Sequence, residues 1–166
     1  FYARTSGQDK GAVPLADSIL SSSARSNQQP AMGAPESEHP LLSKLLDSLA
    51  GGDFQSADYI TESLVASVTG EQMLSKKSIY ALECALLRRL DDAWMSASDG
   101  NYGFTTQLKM SKDGFSAFEI LAGWRKGGFL TPLEQPGSIY PRGYFPRRLA
   151  NGPINQELLR RVDGCH

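Results

Sequence analysis

Leu41, Leu42, Leu45, Leu46 and Leu49 recur at the spacing of one helical face, and Gly51-Gly52 follows as a stop. Pro40 suits a first helical position. Asp53 is placed to cap a second helix, whose inner stripe is Phe54, Ala57, Thr61, Leu64, Val65 and Val68, with Gly70 at its end. A third helix carries Ile79, Leu82, Leu86, Leu90, Ala93 and Trp94 on one face. A short fourth is expected from about Asp113 to Ala122, with Phe115, Phe118 and Leu121. A last amphipathic turn starts near Pro153 with Ile154, Leu158, Leu159 and Val162. Such stripes are more often core than cofactor box. No alternating run is long enough to suggest a sheet.

Proline divides the chain. Pro14, Pro30, Pro35 and Pro40 lie in the first 40 residues, and Pro132, Pro136, Pro141, Pro146 and Pro153 lie after residue 130. The stretch between has none and should hold the regular structure. Residues 1–37 are rich in Ser, Ala, Gly, Gln and Pro. Alone, such a segment buries too little apolar surface to offset its ordering entropy, so it reads as an extended low-complexity arm. Residues 38–152 form a helical domain, and 153–166 a C-terminal helix and tail. Trp124–Gly152 is too long for an ordinary connection, and its Trp124, Phe129, Tyr140, Tyr144 and Phe145 argue against disorder. The expected fold is therefore all-α: a compact helical bundle with a long aromatic-rich loop over one end.

Composition removes several function classes. The net charge is −1, which gives no support for nucleic-acid binding, and no run of about 18 apolar residues suggests a transmembrane segment. Charge is uneven, however. Residues 1–124 carry 10 basic and 15 acidic side chains, and residues 125–166 carry 7 and 3. The C-terminal quarter is thus a candidate surface for an anionic ligand or acidic partner. Cys84 and Cys165 show no metal spacing and read as two free thiols in a reducing compartment. His39 and His166 lie near the ends of the structured sequence, without the pattern of a zinc site or a triad. No phosphate-cradling loop, dinucleotide fingerprint or nucleophile elbow occurs. Asp91-Asp92 points in two directions about 100° apart on a helix and reads as a solvated helix end. No enzyme is expected, and no metal bound by protein side chains.

The informative chemistry runs from Trp94 to Pro146, where aromatics, glycines and arginines concentrate. A flat macrocycle with carboxylate arms needs these materials: aromatic and aliphatic faces for the ring, arginine forks for the carboxylates. The same residues could equally pin a long loop to a small helical core.

The order of motifs resembles the genomes-uncoupled-four domain. Leu45-Leu46, Gly52-Asp53-Phe54 and Ala57-Asp58-Tyr59-Ile60-Thr61 are similar to its opening helix, break and second helix. Leu87-Arg88-Arg89-Leu90-Asp91-Asp92-Ala93-Trp94 and Ser98-Asp99-Gly100-Asn101-Tyr102-Gly103-Phe104-Thr105-Thr106-Gln107 look like its next two motifs. Gly123-Trp124-Arg125 and Pro141 to Pro146 look like the last two. The match covers about residues 41–146. Phe129 stands near where the family has another tryptophan, and Tyr144 where it commonly has histidine. The resemblance implies a non-catalytic module that binds protoporphyrin IX or Mg-protoporphyrin and regulates magnesium chelatase in chlorophyll synthesis. It implies the large subunit of that enzyme as partner and a peripheral location in a plastid (stroma or thylakoid surface) or a cyanobacterium. Phe104, Trp124, Phe129, Tyr140, Tyr144 and Phe145 are the expected floor of the cleft, with Arg125 and Arg142 facing the propionates. Two alternatives stay open. The domain could be a structural or linker subunit docked through its arm on a photosystem or antenna complex, or a helical adaptor with no pigment link.

Overall fold

Helices dominate the computed structural model, which describes residues 39–132, 139–149 and 153–166. The expected arm, residues 1–37, lies outside the described residues. The first helix, α1, spans Pro40–Ala50; the His39 side chain accepts the N–H of Leu41 at its start, and Leu42, Leu45 and Leu49 face the core. The second, α2, spans Phe54–Thr69 and is capped by Asp53, which accepts the N–H of Ser56. Gly70 ends it in the left-handed region at φ 71°. Both helices begin and end where the sequence pattern places them, because caps and glycine stops act locally.

The third expected helix is two. α3 covers Lys76–Ala81 and α4 covers Cys84–Ala97, separated by Leu82 and Glu83 in extended conformation. Neither proline nor glycine marks this break. Tertiary contacts make it: Leu82 is turned into the core, and its carbonyl accepts from Arg161 Nη2 at 2.8 Å. The extra bend rotates α4, so that Leu87 rather than Leu86 is buried beside Leu90 and Trp94.

A helix the periodicity did not announce, α5, spans Phe104–Met110. Its start explains Gly103, which sits at φ +115°; a Cβ there would meet Asp91 Oδ1 at 2.8 Å. A single 3₁₀ turn leads to α6, Phe115–Leu121. Two short strands follow, β1 (Arg125–Lys126) and β2 (Phe129–Leu130), paired antiparallel with Arg125 opposite Leu130. Too short to show alternation, this hairpin turns through Gly127-Gly128. The last helix, α7, spans Pro153–Asp163 as expected, with Leu158, Leu159 and Val162 buried.

The helix α1 packs on α2 and α4, while α7 packs on α5, α3 and α4. One continuous core joins Leu42 and Leu45 to Trp94, Phe104, Phe145 and Val162. Two expectations are corrected here. Cys84 and Cys165 are not free thiols: they form a disulfide across a sequence separation of 81, with Cα atoms 5.2 Å apart. Asp91 is not solvated either. It is buried, and its carboxylate accepts the N–H of Thr105 at 3.0 Å and the Thr105 hydroxyl, with His166 Nε2 3.5 Å away. Asp92 alone stays in water. The four-residue helical repeat says which side faces inward, but the partner of Asp91 comes from α5, whose position is a tertiary outcome.

Candidate functional site

The segment 139–149 closes over the end of α2, α4 and α5, and its backbone is held by side chains from below. Gln107 is fully buried and its amide donates to the carbonyls of Gly143 (3.2 Å) and Pro146 (2.7 Å). Gly103 N–H donates to Phe145 O, and Gly143 N–H donates to Asn101 O. Asp58 Oδ1 accepts two backbone N–H groups, from Arg147 at 2.8 Å and Arg148 at 3.0 Å. Burial pushes the Asp58 carboxyl up to about 6, against these two hydrogen bonds and the Arg148 charge, which pull it down. Phe145 is the apolar anchor, stacked on Trp94 at 5.8 Å and edge-on to Tyr102 and Tyr140.

Arg147 ties this segment to the hairpin. It is buried, and its guanidinium donates to the carbonyls of Thr131 (2.6 Å), Pro132 (3.0 Å) and Trp124 (3.3 Å) and to the Tyr144 hydroxyl (2.7 Å). The Tyr144 hydroxyl donates onward to Pro132 O. Burial pushes the Tyr144 phenol up, with Arg147 acting in the opposite direction, so it remains a neutral donor. Lysine cannot reproduce this planar fork. Arg147→Lys is expected to lower stability by about 2 kcal/mol, because two or more buried carbonyls lose charge-assisted bonds. Urea unfolding followed by tryptophan fluorescence reads this directly; an unchanged midpoint would mean water replaces the fork at no cost.

Between the hairpin and this segment lies an open cleft of about 680 Å³. One wall is Arg125 to Gly128 of the hairpin; the other is Ile139, Tyr140, Pro141 and Tyr144. Ile120, Gly123 and Thr131 complete it. The walls approach closely because Gly123 takes φ +73°, where a Cβ would meet Pro141 Cγ at 3.0 Å. Tyr140 and Tyr144 present rings 4.6 Å apart, and the Gln55 amide donates to the Tyr140 hydroxyl. Arg125 donates through Nε to Glu119 at 2.8 Å and through Nη1 to Gly128 O, so part of its charge is already spent. Lys126, on the same wall, is exposed.

Of the eight expected site residues, the structure brings Arg125, Tyr140 and Tyr144 together on this cleft. Phe104, Trp124 and Phe145 are core residues; Trp124 Nε1 donates to Tyr144 O at 2.8 Å and so supports the wall from behind. Phe129 projects from the hairpin at 79% exposure, and Arg142 is exposed beside Pro141 outside the lining. An aromatic in a loop cannot be assigned to floor or core by sequence, because either role demands the same residue type. Lys126, Arg147 and Ile139 were not expected, and Asp58 lay within a recognised motif without a role. Among the described residues, no group of three His, Cys, Asp or Glu is placed to hold a metal ion, and no helix is long and apolar enough to cross a membrane.

The fold and cleft define a small, mostly helical module whose ligand-sized opening is walled by a hairpin and a pinned loop. The chain belongs to the GUN4-like family, whose sequence model matches residues 35–136. The Pro141–Pro146 motif therefore lies just past the matched residues. A tetrapyrrole-binding protein of Arabidopsis thaliana chloroplasts is 29% identical over 91 residues, covering 49% of this chain and 34% of that protein. The matched region thus spans about a third of that relative's length. Among solved structures, ligand-free GUN4 of Arabidopsis thaliana superimposes with a TM-score of 0.60 at 23% identity, covering 75% of this chain and 94% of that one. GUN4 of Chlamydomonas reinhardtii gives 0.56 at 21% identity, covering 72% and 84%. At these identities the two structures speak for the fold.

Proposed function

We propose that this protein binds a carboxylate-bearing tetrapyrrole, protoporphyrin IX or Mg-protoporphyrin, and regulates magnesium chelatase in chlorophyll synthesis. It works in a plastid or cyanobacterium, peripheral to the membrane, and catalyses no reaction itself. The observation that carries this reading is the cleft. Its volume of about 680 Å³ falls within the range of roughly 300–1,000 Å³ typical of ligand pockets. Tyr140, Tyr144, Ile120 and Ile139 offer apolar surface to a flat ring, and Lys126 with Arg125 offers positive charge on the facing wall. Arg142 stands outside the lining, where it can reach a propionate only at the rim. Binding is non-covalent: ring faces are desolvated against the tyrosines, and carboxylates pair with the cations. The name of the Arabidopsis relative supports the same ligand class.

Titration of the full chain with protoporphyrin, followed by tryptophan quenching, is expected to saturate at micromolar ligand. The dimethyl ester of the same ring should bind more weakly, because the wall cations lose their partners. Absence of saturable quenching with either ligand would remove the pigment reading.

A second reading has its own observation. Phe129, Leu130, Ile120, Leu121 and Ile139 are exposed apolar residues around the cleft, Ile139 at 99%. A ridge of this kind favours contact with another macromolecule. In the first reading that is the chelatase large subunit; in the second it is a photosystem or antenna complex on which the chain is a structural or linker subunit. Isolation of the chain within an intact photosynthetic complex, with no quenching by porphyrin, would favour the second.

A further inference from the structure

We propose that the Cys84–Cys165 disulfide is a thiol–disulfide exchange site at which a dithiol reductant loosens the segment that walls the cleft. Its effect on a ligand rests on the binding reading above; its effect on the protein does not.

The bond sits where a small change has a long reach. Cys84 opens α4 and is partly exposed, whereas Cys165 is buried two residues after the end of α7. Across 81 residues it joins the segment just after α7 to the start of α4. Apart from the Arg161 bond to Leu82 O at 2.8 Å, the polar ties that hold α7 to α3 are weak. Lys76 to Glu157 spans 3.4 Å with the lysine side chain 68% exposed, and the Tyr80 hydroxyl meets Glu157 at 3.2 Å in an exposed setting. Beyond Cys165, His166 Nε2 lies 3.5 Å from Asp91 Oδ2. That carboxylate holds Thr105 in the first turn of α5 through the N–H and the hydroxyl. Helix α7 also packs directly on α5. From α5, the Gln107 amide reaches Gly143 O and Pro146 O, and the preceding Gly103 N–H reaches Phe145 O. The covalent tie, the helix it docks and the cleft wall are therefore consecutive links in one physical contact path.

In the exchange step, a thiolate of the reductant attacks Cys84 Sγ, the sulfur of the more exposed cysteine. The S–S bond breaks, a mixed disulfide forms, and Cys165 leaves as a thiolate that takes a proton from water. The second thiol of the reductant, deprotonated, attacks the reductant's own sulfur in the mixed disulfide. That closes the reductant's disulfide and releases Cys84, which is protonated in turn. Two electrons pass to the protein and the dithiol is oxidised. Once the cross-link is gone, α7 can open locally without global unfolding.

The test uses the full chain, air-oxidised and then reduced with dithiothreitol under native conditions, beside a Cys84→Ser, Cys165→Ser double variant. Thiol titration should find none before reduction and two after. Hydrogen exchange should rise roughly tenfold in peptides covering 153–166 and 140–149, while α1 and the buried face of α2 keep their protection. The double variant should match the reduced protein and ignore dithiothreitol. Protoporphyrin affinity should fall several-fold on reduction. Two free thiols in the oxidised protein would overturn the proposal. So would exchange that rises equally everywhere, or that rises in 153–166 and leaves 140–149 unchanged. Selective loosening of 140–149 without porphyrin binding in either state would uphold the exchange site and refute the pigment reading.

Discussion

Replacing Trp94 with alanine is expected to remove about 3–5 kcal/mol of folding stability. The indole is fully buried at 0% exposure, at the C-terminal end of the inner face of α4. It stacks on Phe145 at 5.8 Å with planes 17° apart, and lies 6.2 Å from Phe54. Its Nε1–H donates to Thr61 Oγ1 at 3.1 Å, so truncation removes both packing and a buried hydrogen bond. Thr61 keeps its own bond to Ala57 O, which limits the polar part of the loss. Because Phe145 anchors the cleft wall, the cavity should also loosen residues 139–149. Trp124 is the remaining tryptophan and serves as the reporter in a urea titration. A Trp94→Phe variant should recover part of the loss. A loss below about 1 kcal/mol for alanine would mean that Phe54 and Phe145 collapse into the space.

The second large effect is a pH dependence centred on Asp58. Its folded-state carboxyl is pushed up to about 6 from an ordinary 3.8 by burial. A carboxyl raised on folding contributes most below its unfolded value and loses that contribution as pH rises through the folded one. Between pH 4 and pH 7.5 this group alone should therefore lower unfolding free energy by roughly 2.5 kcal/mol. Asp58→Asn keeps an oxygen that can accept from the N–H groups of Arg147 and Arg148 but carries no charge. The difference between wild type and variant should accordingly shift with pH in favour of asparagine, by roughly 2.5 kcal/mol over that range. Carboxylates held low by hydrogen bonds, such as Asp53 and Glu71, act in the opposite direction but are common to both proteins. Parallel stability curves for the two proteins would show that water, not protein, surrounds Asp58.

What could be read from the chain was whatever neighbouring residues decide among themselves. The leucine stripe of α1, the Asp53 cap, the Gly70 stop and the stripe of α7 are each complete within a few residues, so their elements fall where expected. Trp94 as core follows from its position on a helical face. The motif order pointed to the family, because its spacing survives divergence of the residues between. Helix α5 was hidden by its short length of 7 residues and by a glycine start that serves a distant carboxylate. The α3–α4 break was hidden because its cause, Arg161, is far along the chain.

The cleft was legible in its materials but not in its assignment. Sequence showed aromatics and cations in one stretch, and three of the eight candidates, Arg125, Tyr140 and Tyr144, do line the opening. Whether a loop aromatic becomes wall or core depends on what packs beneath it, and that is why Phe104 and Phe145 went inward while Phe129 went out. The same holds for charge. Asp91 is indistinguishable in sequence from its solvated neighbour Asp92, and nothing local marks Arg147 or Asp58, yet folding desolvates all three and gives each a distant partner. Two cysteines 81 residues apart meet for the same reason. The ends of α1 and α2 and the start of α7 are set by contacts within a few residues, and the sequence alone determined those here. Pairing, burial and the cleft depend on contacts between residues far apart in the chain, which tertiary structure alone decides.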